Sequence, residues 1–107
     1  MIDLRRYQLE DESTPVTEWL RSLRDTRARA QIEVRLRRVS AGNFGDCKPV
    51  GEGVAELRVD IGTGYRVYYG KYGQALIILL CGGDKGSQQA DIARAKAYWT
   101  DWKRRKS

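Results

Sequence analysis

A chain of 107 residues has room for one domain, spanning 1–107, with a single small core. With 41% hydrophobic and 32% charged residues it is neither a disordered nor a membrane composition. The net charge is +6 and histidine is absent, which removes the commonest general base and the commonest zinc ligand. Any chemistry must therefore use Lys, Arg, Tyr or carboxylates.

In chain order, the first nine residues mix apolar and charged side chains and are expected to form at most an edge strand, because Arg5–Arg6 breaks the alternation. Val16, Trp19, Leu20 and Leu23 recur with helical spacing, with Thr14 expected as cap and Pro15 at the first helical position. Ala28, Ile32, Leu36 and Val39 form a second stripe that Gly42–Asn43 stops. Together these predict a helical hairpin broken near Arg24–Thr26.

All eleven glycines lie between Gly42 and Gly86, which marks a turn-rich centre between helical flanks. Ala55–Ile61 alternates, placing Leu57, Val59 and Ile61 opposite Glu56, Arg58 and Asp60. Gly62–Gly64 turns into a partner strand at Tyr65–Gly70, and a turn at Tyr72–Gly73 leads to Ala75–Leu80. That last strand is apolar on both faces, so a central position is expected. Ser87 is expected to cap a C-terminal helix carrying Ile92, Ala95, Trp99 and Trp102. The order is β-α-α-β-β-β-α, an α+β fold with a mainly antiparallel sheet packed by the hairpin and the last helix. No run approaches the roughly 20 apolar residues of a membrane span. With only Cys47 and Cys81 as thiols, a reduced, cytoplasmic chain that avoids membranes is expected.

Several patterns carry chemistry. Gly82–Ser87, between an apolar strand and a helix, has the context of a phosphate loop without its spacing, leaving a simpler anion site from backbone N–H groups and Lys85. Glu52, Glu56, Asp60 and Asp84 fit no metal-ligand spacing, so no metal and no cofactor are expected. Arg58 and Arg66 lie on adjacent strands away from the apolar rows, with Tyr68 on the face of Arg66 and Lys85 leaving the next strand. Such a surface suits an RNA backbone and a stacked base; it equally suits an exposed sheet face with a cross-strand Glu56–Arg66 or Asp60–Arg66 pair. The basic excess itself sits on the second helix, including Arg35 and Arg38, and on Lys103–Lys106.

The blocks Asn43–Asp46, Lys48–Val54, Glu56–Arg58, Gly64–Tyr69 and Leu80–Lys85, taken in order, resemble the HigB-like, phage-derived branch of the RelE/ParE toxin superfamily, the addiction module killer proteins. The resemblance covers nearly the whole chain. It implies a RelE-like sandwich and the toxin of a type II toxin–antitoxin system. Such a toxin is expected to be a ribosome-dependent, metal-independent mRNA endonuclease that pairs with a helix-turn-helix antitoxin. ParE-like relatives poison gyrase instead, and a degenerate toxin or RNA-binding module is the other alternative. By position, Arg66 would bind the scissile phosphate and Lys85 would stabilise the transition state or protonate the leaving group. Arg58 stands where the family has one of two lysines. Tyr68, Lys48, Arg35 and Arg38 are the expected RNA contacts. Glu56 replaces the other lysine, and Tyr98 is the nearest match to the family's late tyrosine.

Overall fold

A computed structural model describes residues 2–106 of the chain; Met1 and Ser107, at the ends of the expected domain, lie outside them. The elements are β1 (Asp3–Arg6), α1 (Pro15–Ser22), α2 (Thr26–Ser40), β2 (Cys47–Gly51), β3 (Val54–Val59), β4 (Tyr65–Tyr72), β5 (Leu76–Asp84), a 3-10 turn (Lys85–Ser87) and α3 (Gln88–Lys106). The strands form one sheet in the order β1-β5-β4-β3-β2. β1 runs parallel to β5 at one edge, and the other three pairings are antiparallel. The α+β class, the helical hairpin, the edge position of β1 and the central position of β5 are as expected.

Helices cover both faces. On one, Val16 and Leu20 of α1 and Ala28, Ile32, Leu36 and Val39 of α2 pack on Leu57, Val59, Val67, Ile77 and Leu79. On the other, Ala95 and Trp99 of α3 pack on Val54, Tyr68, Ile78, Leu80 and Cys81. This explains why β5 is apolar on both sides: each face of a central strand lies beneath a helix. The buried apolar stripes, more than intrinsic propensity, hold short helices such as the eight-residue α1 in place.

The structure corrects the expected order by one strand. Cys47–Gly51 carries Pro49 and no apolar alternation, so it reads as loop, yet it pairs with β3 as the outer edge of the sheet. Proline is tolerated at an edge, where no second strand needs its missing N–H. The caps differ as well. The Thr14 side chain makes no cap hydrogen bond, while Asp25 Oδ1 accepts from the Ala28 N–H at 3.0 Å and starts α2. At the far end Asp84, not Ser87, caps the 3-10 turn that leads into α3.

β5 also runs further than the sequence predicts, its glycines continuing the strand to Asp84 rather than ending it at Leu80. A Cβ on Gly82 would fall inside the Trp19 indole, and one on Gly83 would overlap the Asp91 carboxylate. On β4, Gly70 makes the same room for Trp99. These glycines let large side chains from the helices approach the sheet backbone, a packing role that local sequence conceals.

Gly82→Ala is accordingly expected to destabilise the fold by about 1–3 kcal/mol through overpacking against Trp19. Urea unfolding should show a lower midpoint with an unchanged slope, and an unaltered midpoint would contradict the packing described here.

Candidate functional site

Antiparallel pairing of β3 with β4 sets Arg58 directly opposite Arg66. Both point toward the α3 side of the sheet, since their neighbours Leu57, Val59, Tyr65 and Val67 fill the core under the hairpin. Like charges at directly opposed positions repel, and each arginine here has its own carboxylate. Asp46 accepts from Arg58 Nε at 3.2 Å and lies 3.1 Å from its Nη2. Glu56 Oε2 stands 3.8 Å from Arg66 Nε.

Glu56 is the unusual member, a carboxylate only 2% exposed. Its Oε2 accepts a 3.0 Å hydrogen bond from Gln88 Nε2, at the first turn of α3. Arg66 is also largely enclosed, with 13% of its side chain exposed and its Nε buried without a hydrogen bond. Lys48, exposed on β2, is in register with Glu56 and so flanks the group from the edge. Gly83 faces Arg66 from β5, and the exposed Lys85 follows two residues later, its N–H bonded to the Gly64 carbonyl at 3.1 Å. An open depression of about 380 Å³ lies alongside, lined by Lys85, Gly86, Gln88, Gln89 and Ile92. Register thus sets Lys48, Arg58 and Arg66 on three neighbouring strands, with Lys85 leaving the fourth at the start of α3.

The other expected contacts fall elsewhere. Tyr68 lies fully buried under α3 and offers no ring face to a base. Its hydroxyl has no hydrogen-bond partner, and burial, reinforced by the charge of Glu56, pushes its pKa up. Tyr68 is therefore a core residue. Arg35 donates to the carbonyl oxygens of Arg58 (2.6 Å), Phe44 (3.1 Å) and Asp46 (3.3 Å). It staples α2 to the segment entering β2, and its guanidinium is spent on the backbone. Arg38 is exposed on α2, the layer across the sheet from Arg66 and Lys85. The two groups of cations belong to different surfaces.

The expected backbone anion site is filled from within. Asp84 Oδ1 accepts from the N–H groups of Gly86 (2.9 Å) and Ser87 (3.2 Å), so an internal carboxylate takes the place an external anion would use. Tyr98 stacks on Tyr7 with centroids 4.7 Å apart, away from the arginine pair. The acidic residues are likewise dispersed: Glu52 pairs with Lys96 at 3.3 Å while Glu56 and Asp84 have the partners just named. Among the described residues no three His, Cys, Asp or Glu side chains are grouped to hold a metal ion, and no helix is long and apolar enough to cross a membrane.

Two residues escape the reading of the sequence. Asp46 lies ahead of the unrecognised β2, and Gln88 is a polar residue at a helix start with no local sign of a partner 32 positions earlier.

The fold and this cluster define a small α+β domain with a cationic group mounted on a sheet beside a helix start. No known family model matches the chain. It is 53% identical over 78 residues to a Haemophilus influenzae protein described as "Uncharacterized protein", an alignment covering 73% of this chain and 79% of that one. The chain belongs to that protein's family.

The two thiols should differ in reactivity. Burial pushes the Cys81 pKa up to about 11, with Arg94 opposing, whereas Cys47 is exposed. Because the thiolate is the reactive form, iodoacetamide at pH 8 should modify Cys47 in the native protein and Cys81 only after unfolding. Equal native rates for both would contradict the burial of Cys81.

Proposed function

We propose that this chain is the toxin of a type II toxin–antitoxin pair, an endoribonuclease that cuts mRNA on the ribosome. The observation that carries the proposal is the directly opposed pair Arg58 and Arg66, with Lys85 at the end of the neighbouring strand. Two arginines directly opposed on neighbouring strands suit a phosphodiester, and arginine matches phosphate with two parallel N–H donors. The resemblance of the surrounding blocks to HigB-like toxins supports the same reading, as does a mixed sheet held between a helical hairpin and a C-terminal helix.

In this mechanism the RNA supplies its own nucleophile, the 2′-hydroxyl next to the scissile phosphate. The 2′-hydroxyl gives its proton to solvent water as its oxygen attacks phosphorus, which forms the P–O2′ bond, breaks the P–O5′ bond and leaves a cyclic phosphate and a 5′-hydroxyl. The protein must neutralise charge on the phosphorane and protonate the departing oxygen. Arg66 binds the non-bridging oxygens, Arg58 adds a second positive charge beside it, and Lys85, on the exposed turn, protonates the leaving group. Glu56 is no base for the 2′-hydroxyl, since it is enclosed and already bonded to Gln88. Lys48, exposed next to Glu56, holds the RNA strand. A helix-turn-helix antitoxin is the partner that neutralises the activity.

Purified protein should cut translated mRNA only when ribosomes are present. Lys85→Ala and Arg66→Gln should each lower the rate on the order of 10²–10³-fold, as for loss of one preorganised charge-stabilising group. Primer extension on the mRNA measures this directly. Unchanged rates in both variants would reject the site, and intact mRNA accompanied by trapped, cleaved plasmid DNA would indicate a gyrase poison instead.

A further inference from the structure

A carboxylate beside a phosphate-binding arginine is an apparent defect, because it repels the ligand and competes for the guanidinium. Its surroundings indicate another role. Glu56 is 2% exposed, and burying a carboxylate is costly unless charge and hydrogen bonds compensate it. The same oxygen, Oε2, accepts from Gln88 at 3.0 Å and lies 3.8 Å from Arg66 Nε. Glu56 is thus anchored to α3 on one side and faces the inner edge of the guanidinium on the other. The contact is an ion pair at 3.8 Å rather than a hydrogen bond, and a charge on the Nε side of an arginine leaves the Nη side, the fork that suits phosphate, to face a ligand. The side chain has little freedom to lose on binding, as so much of it is already enclosed.

We propose that Glu56, held by Gln88, is a positioning residue that orients Arg66 toward an RNA phosphate. The inference rests on the reading of Arg66 as a phosphate ligand and specifies how the protein aims it. Orientation and simple electrostatics predict opposite signs for one substitution. Glu56→Gln removes a negative charge near the phosphate site and also near Lys48, which is in register with it. Coulomb attraction alone would then tighten anion binding. Loss of the carboxylate that restrains Arg66 would weaken it.

The test is a fluorescence titration with a labelled single-stranded oligoribonucleotide carrying 2′-O-methyl groups, so that binding is read without cleavage. Glu56→Gln should weaken binding by roughly fivefold to tenfold, as for loss of one charge-assisted interaction. In an Arg66→Gln background the same substitution should leave binding unchanged or tighten it, because the group it positions is gone. Thermal unfolding of each variant confirms the fold, and Gln88→Ala, at the half-buried end of the network, should weaken binding in the same direction if Glu56→Gln fails to fold. Tighter binding by Glu56→Gln alone, or equal weakening in both backgrounds, overturns the positioning role while leaving Arg66 as a ligand. Unchanged binding by Arg66→Gln itself overturns the phosphate site and this inference with it.

Discussion

The start of α3 is tied to the sheet by one buried carboxylate and closed on itself by another, beside the cationic cluster. Glu56, on β3, takes the hydrogen bond of Gln88. Asp91, 5% exposed on α3, accepts from Ser87 Oγ and from Arg94 Nη2 and packs against Gly83 of β5. Removing one partner of a buried charge costs far more than an exposed pair contributes, so these contacts fix the helix start firmly over the strand ends. Arg66, Gly83 and the Lys85 turn are aligned by the same strands. A small sliding of α3 would separate Gln88 from Glu56 and release the arginine they flank.

The two faces of the sheet divide the work. Beneath the hairpin the core is apolar, with stability coming from burial of Ile32, Leu57, Val67, Ile77 and their neighbours. Beneath α3 the core changes along the helix, from polar contacts at Gln88 and Asp91 to the packing of Trp99 on Gly70. The net charge of +6 is distributed with a similar asymmetry. Its excess lies on α2 and the C-terminal turn of α3, while the arginine pair is balanced by Asp46 and Glu56. The α2 arginines offer long-range attraction to a polyanion, and the balanced pair offers local geometry.

Period-two alternation in Ala55–Ile61 and Tyr65–Gly70 made the central strands legible and correctly assigned Arg58 and Arg66 to one face. The 3.6-residue stripes did the same for the helices. Alternation, however, gives the face of a residue and not what covers it. Tyr68 shares the face of Arg66 and is buried because α3 crosses that face, a tertiary fact with no local signal. For Glu56 the same ambiguity made a buried anchor look like an exposed charge. Cys47–Gly51 carries no strand signal because edge pairing, not propensity, makes it a strand, and Gly82–Gly83 has the local signature of a turn because the rings and carboxylates that need the space come from other elements. Arg35 reads as one of many basic residues until the carbonyl oxygens it clamps are assembled around it.

Whether the opposed arginines and Lys85 act on RNA is decided by mapping mRNA 5′ ends after brief induction of the chain in growing cells, where the proposal is that they do. New 5′-hydroxyl ends within translated frames are expected with the native chain, and their absence when Arg66 is replaced. Growth arrest with an unchanged pattern of mRNA ends would contradict it.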